Sequence, residues 1–127
     1  DSRFIAFWER HDTEGSEDYL YDINAAAKLP PGTNHYSFSV DSKQELEDWK
    51  QKWLAAGLDV FEIDHNWCHS IYTRDPNGNS VEFCLTTGTF TETDRQRALD
   101  ALSETEFTPS PPPAFMQLWN AKKVDSR

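Results

Sequence analysis

Two stretches decide how this chain reads: Asn34-His35-Tyr36-Ser37-Phe38-Ser39-Val40 and Ser70-Ile71-Tyr72-Thr73-Arg74-Asp75-Pro76-Asn77-Gly78-Asn79-Ser80-Val81-Glu82-Phe83. Both have the two-residue alternation of β structure. In the first, His35, Ser37 and Ser39 fall on one face, and Tyr36, Phe38 and Val40 on the other. In the second, Asp75-Pro76-Asn77-Gly78-Asn79 is a turn, with Pro fixing φ and Gly or Asn taking positive φ. That turn pairs Arg74 with Ser80 and brings Ser70 and Tyr72 onto the face of Glu82. Val81 and Phe83 face the other way. The apolar faces belong against a helix. His35, Tyr72 and Glu82 are then free to converge in one cavity, and imidazole plus carboxylate is a donor set for borderline or hard divalent cations.

Between these stretches lies the helix that would cover the apolar face. Ser42-Lys43-Gln44-Glu45 matches a capping box, in which the Ser42 hydroxyl accepts from the Glu45 amide and Glu45 reaches back. Leu46, Trp49, Trp53 and Leu54 follow at helical spacing, and Gly57 stands where a left-handed C-terminal residue is wanted. A helix over 43–56 is predicted, with both tryptophans in the core. Leu58–Ile63, His69–Arg74 and Ser80–Leu85 read as strands, so the order from His35 is β, α, β, β, β.

Outward from this module, Arg3–Trp8 and Tyr19–Ala25 read as two extended runs of a hairpin separated by a polar loop. Residues 28–33, with Pro30-Pro31-Gly32, read as a linker. Thr91–Leu102 reads as a second helix, and Pro109 and Pro111–Pro113 as a stiff extended segment. Phe115, Met116, Leu118 and Trp119 are apolar residues in a polar tail, expected to dock on the body of the protein or on a partner subunit.

Composition sets the class. A chain of 127 residues with 37% hydrophobic and 13% aromatic residues can bury a core without disulfides. Twenty-two acidic against twelve basic residues give a formal charge of −10, which repels nucleic-acid backbones and anionic membrane surfaces. No apolar run approaches the ~20 residues of a membrane span. Cys68 and Cys84 lack the spacing of a zinc or redox motif and are expected as reduced thiols in a cytoplasmic protein. The chain starts at Asp1 and its only Met is Met116, so the expectation is a processed product or a fragment.

His35–Val40, the capped helix ending at Ala56-Gly57, Asp64-His65, and Ser70-Ile71-Tyr72-x-x-Asp75-Pro76-Asn77-Gly78-Asn79-x-x-Glu82 together resemble one βαβββ module of the vicinal oxygen chelate superfamily. That group includes glyoxalase I, bleomycin-resistance proteins and extradiol ring-cleaving dioxygenases. The resemblance implies an α+β fold in which βαβββ modules form an open, curved mixed sheet around a metal cavity. Residues 1–27 would then be the C-terminal hairpin of a first, incomplete module, 34–90 the second module, and 91–127 a C-terminal helix and Pro-rich tail. It also implies His35 and Glu82 as metal ligands, with the third ligand, a His, upstream of Asp1 or on another chain. A homodimer, or assembly with a missing N-terminal segment, is therefore expected.

The likeness is closest to small extradiol-type dioxygenases, which also have a strand like Arg3-Phe4-Ile5-Ala6-Phe7 and a His shortly before Ser-Ile-Tyr. It implies His65 as an acid–base residue and Tyr72 as a hydroxyl donor beside the ligands; His69 should face away from Tyr72. The residue after His65 is Asn66, where many members carry Gly. The expected reaction is ring cleavage of a catecholic aromatic by O₂ with iron(II). Two imidazoles and a carboxylate on one side of the ion would leave adjacent positions open to substrate and O₂. The alternatives are a glyoxalase-like lyase or isomerase using nickel or zinc, with manganese also possible as the metal, and a metal-free protein that binds a small molecule.

Overall fold

The structure, a computed structural model, describes residues 6, 14–15, 18–106 and 109–121. The elements are α1 (Ile23–Ala26), β1 (His35–Ser39), α2 (Lys43–Ala55), β2 (Val60–Asp64), β3 (Cys68–Arg74), β4 (Ser80–Thr86), α3 (Glu92–Ala101) and β5 (Phe115–Trp119). The fold is α+β. Five strands form one open mixed sheet in the order β1-β4-β3-β2-β5, with β1 parallel to β4 and the other neighbours antiparallel. No helix among the described residues is long and apolar enough to cross a membrane.

Helix α2 starts and stops where its sequence directs. The Ser42 hydroxyl accepts from the Glu45 amide at 3.1 Å. Glu45 reaches back one residue further than a capping box requires, and its Oε2 accepts from the Asp41 amide at 2.9 Å. At the other end Gly57 has φ of +83°, and its amide and that of Leu58 donate to the carbonyls of Leu54 and Trp53. This pair of bonds is the Schellman ending, which a left-handed glycine permits.

One face of the sheet packs on α2. Val40, Leu46, Val60 and Ile71 form the buried centre, ringed by Trp49, Trp53, Leu54, Phe83, Leu85 and Trp119. Phe83 is stacked between the two helix tryptophans, with ring centroids 4.4 Å from Trp49 and 5.2 Å from Trp53. The expected core role of both tryptophans is what the structure has. Val60 and Ile71 are fully buried, each contributing about 2 kcal/mol by removal of its side chain from water.

The turn after β3 is as the sequence predicts. Asp75 Oδ1 accepts from the amides of Asn77 and Asn79, Gly78 has φ of +91°, and Arg74 is paired with Ser80. Two regions differ from expectation. Tyr19–Tyr21 is irregular, and the run expected to stay extended through Ala25 turns into α1. Asp22 causes the turn, since its side chain accepts from the amides of Asn24 and Ala25. Residues 3–5 and 7–8 of the companion strand lie outside the described residues, and with them the hairpin itself.

The apolar tail, for its part, becomes a fifth strand. Phe115–Trp119 pairs antiparallel with β2, placing Trp119 opposite Val60 and Leu118 opposite Phe61. Strand β5 thus docks on the body of the protein, one of the two expected outcomes. Helix α3 is capped by a reciprocal Thr91–Asp94 box, and its residues are exposed, including Leu99.

Candidate metal centre and cavity

The face of the sheet opposite α2 carries the polar residues picked out from the sequence. Strand β4 is central to them, lying between β1 and β3. In the register, Glu82 stands opposite Ser37 on one side and Tyr72 on the other. His35 Nε2 lies 3.0 Å from Glu82 Oε2. The Tyr72 hydroxyl donates to Glu82 Oε1 at 2.7 Å. His65 Nε2 lies 3.1 Å from the same hydroxyl. His65, Tyr72, Glu82 and His35 therefore form one continuous chain of polar contacts. Because the single Tyr72 proton goes to Glu82, His65 Nε2 must carry the proton in its own contact with Tyr72.

The electrostatics follow from burial and donors. Burial pushes the Glu82 carboxyl up, but hydrogen bonds from the hydroxyls of Ser70, Tyr72 and Ser37, with His35 alongside, outweigh it and hold the group below the usual glutamate range. Glu82 is therefore ionised at neutral pH while being 6% exposed. The Tyr72 phenol is moved strongly the other way, first by burial and then by its bond to the Glu82 carboxylate. It stays protonated and acts as a donor. On the same face the Cys68 thiol is pushed up to about 11 by burial. Both cysteines are free.

His65 comes within reach of Tyr72 because the chain reverses tightly after β2. The His65 amide donates to the Cys68 carbonyl, and Asn66 takes a left-handed φ of +73°. A glycine there would be free of strain, and asparagine is the side-chain residue that best tolerates this conformation. The Asn66 amide is tied to Asp64 Oδ1 at 2.9 Å, and its side chain donates to the Pro112 carbonyl at 3.1 Å.

Beside His35 and Tyr72 opens a cavity of about 680 Å³. Leu58, Phe61, Ile63 and Leu118 supply apolar wall, and Arg74 and Ser80 polar wall. Such a volume suits a small organic molecule.

Imidazole nitrogen and carboxylate oxygen bind divalent cations at about 2.0–2.2 Å, so adjacent ligands of an octahedral ion are about 3.0 Å apart. The 3.0 Å between His35 Nε2 and Glu82 Oε2 equals that edge. By donor chemistry the pair could fill two adjacent ligand positions, and in the structure the two atoms are in direct contact with each other. Among the described residues no group of three His, Cys, Asp or Glu side chains is placed to hold an ion.

His69 points to the opposite face, as expected from the alternation of β3, and there meets a network that the sequence reading missed. Its Nε2 lies 2.8 Å from Glu62 Oε1. Glu62 Oε2 accepts from Lys50 Nζ at 3.0 Å and from Trp119 Nε1 at 2.7 Å. Lys50 also pairs with Glu47 at 2.7 Å and lies 4.5 Å from the centre of the Trp119 ring. Alternation in Val60-Phe61-Glu62 does put Glu62 on the helix side with Val60. Nothing local identifies its donors, which come from α2, β3 and β5.

Compared with protein-family models, curated proteins and solved structures, the chain matches none.

Proposed function

We propose that this chain is part of a metal-dependent oxidoreductase of the vicinal oxygen chelate type, most simply an extradiol-type dioxygenase acting on a catecholic aromatic with O₂. The observation that carries the reading is the 3.0 Å pairing of His35 Nε2 with Glu82 Oε2, in which His35 also lines a largely apolar cavity, backed by Tyr72 and His65. The β-α-β-β-β order with β1 parallel to β4 supports it.

His35 and Glu82 would hold the ion, and a third ligand would come from a preceding segment or a second chain. The chemistry that iron(II) would supply there is acidification of a substrate hydroxyl and a path for electrons to O₂. Tyr72 occupies one Glu82 oxygen and so directs the other toward His35. Phe61, Ile63 and Leu118 would flank an aromatic ring and exclude water. His65 Nε2, which carries its proton against the Tyr72 hydroxyl, is placed to give a proton through that hydroxyl.

The test is metal analysis of anaerobically purified protein, with Glu82→Ala beside it, followed by oxygen uptake with catechols. Near-stoichiometric iron that disappears in the variant, together with catechol-dependent oxygen uptake, is expected. Nickel or zinc without oxygen uptake would replace the reading by a glyoxalase-like lyase or isomerase. Metal content that is unchanged in Glu82→Ala would remove the site assignment. A wild type that binds catechols with no metal at all would be a binding protein.

A further inference from the structure

One polar group of the cavity lining is unused by the reading above. Arg74 is the one Lys or Arg among the lining residues. In the sheet Arg74 is opposite Ser80, and Ser80 is opposite His35. Arg74, Ser80 and His35 therefore form one row across β3, β4 and β1. With neighbouring strands about 4.8 Å apart, the backbones of Arg74 and His35 are separated by about 10 Å. One aromatic ring with a short arm spans such a gap.

The guanidinium is held but not consumed. Arg74 Nη1 donates to the Gly78 carbonyl at 3.1 Å, which anchors the group to the turn. Arginine has five N–H donors in a planar fork, so most remain available for a bidentate acceptor. Among the described residues Arg74 makes no ion pair, whereas Arg95 and Lys50 do. The one carboxylate lining the cavity, Asp59, accepts through Oδ1 from the Ala121 amide at 2.8 Å. On a chain of net charge −10, an anionic group would be repelled from most of the surface. Arg74 supplies positive charge at the cavity wall.

We infer that the cavity takes an aromatic acid, whose anionic group pairs with Arg74 while its ring crosses Ser80 toward His35, with Phe61, Ile63 and Leu118 as the apolar wall across β3. The inference rests on the proposed metal centre for the orientation of the ring, but not for the anion contact. Substrate choice then lies with a residue outside the metal centre. Neutral catechols would fill the same walls and lose the charged contact, which is worth about tenfold or more in affinity.

Calorimetric titration of the full chain under anaerobic conditions with iron(II) tests this. The probes are catechol, a dihydroxyphenylacetate with vicinal hydroxyls, and phenylacetate, each against wild type, Arg74→Met, Arg74→Lys and Glu82→Ala. Wild type should bind the dihydroxy acid at least about tenfold more tightly than catechol. Arg74→Met should abolish that preference without weakening catechol, and Arg74→Lys should keep part of it. Equal affinity for acid and catechol in wild type, an unaltered preference in Arg74→Met, or binding of none of the probes overturns the inference. If iron and Glu82→Ala make no difference, yet phenylacetate binding still depends on Arg74, the metal reading fails and the acid site stands.

Discussion

Glu82 and Glu62 are buried to nearly the same degree, at 6% and 8% exposure, on opposite faces of one sheet. Each carboxylate has a histidine nitrogen close by, at 3.0 Å for His35 and 2.8 Å for His69. Each accepts from an aromatic side chain at 2.7 Å, Tyr72 in one case and Trp119 in the other. The difference is Lys50. On the helix side its ammonium group lies 3.0 Å from Glu62, so the buried charge is neutralised within the protein. On the cavity side no lysine or arginine reaches Glu82 among the described residues. A buried carboxylate without a fixed counter-charge is costly unless it is hydrogen-bonded or given a cation. The same ingredients thus make a charge-neutralised clasp on one face and, on the other, a carboxylate held by hydroxyl donors and a histidine.

Glu62→Ala should separate the two sites most strongly. It strands Lys50 in the core with only the half-exposed Glu47, and should cost about 3 kcal/mol in chemical denaturation. Adding Lys50→Met should recover part of that loss, and strictly additive effects would count against the clasp. Glu82→Ala strands no lysine and should cost no more than about 2 kcal/mol, while abolishing metal retention under the proposed function. Trp119→Phe removes one hydrogen bond to a charged acceptor and should cost about 1.5 kcal/mol, read from the same denaturation curves.

The clasp also carries a pH dependence, beside that of Glu82, which is likewise held below the glutamate range. Burial raises the Glu62 carboxyl, but bonds from Lys50, His69 and Trp119 bring it below the ordinary value of 4.5. A depressed carboxyl contributes stability that is complete above the unfolded value and is lost as pH falls through the folded one. The melting temperature should therefore hold steady down to about pH 4.5 and then fall, more steeply in wild type than in Glu62→Gln. The smallest stability change is expected for His65→Ala, below about 1 kcal/mol because the ring is partly exposed. In that variant metal should remain and turnover should slow, and loss of metal would make His65 a ligand instead.

The cavity side of this comparison was legible in the sequence because its determinants are local. Alternation in 35–40 and 80–85, plus the Asp75–Asn79 turn, sufficed to bring His35, Tyr72 and Glu82 together. Arg74 was equally accessible to that logic, being two residues from Tyr72, but its place in the cavity wall depends on how β2 and β5 enclose the space. The clasp was not legible. Glu62 and Trp119 are 57 residues apart, and a five-residue strand behind a run of prolines gives little periodic signal of its own. Helix α1 was missed because four residues carry no helical period, and only the acceptor role of Asp22 reveals it.

The distance along the chain between β2 and β5 also orders events in time. Helix α2 and strands β2, β3 and β4 are linked by short connections, and their contacts need only local search. Strand β5 must return across a long intervening segment to reach β2, and long-range pairing is slow. Refolding should accordingly have a late phase in which Trp119 arrives on Glu62, and Trp119→Phe should remove its fluorescence amplitude. Until that phase is complete, the β2 edge is an unpaired template for another chain. Strand β5 thus closes, only as folding ends, an edge of β2 that stands open to another chain until then.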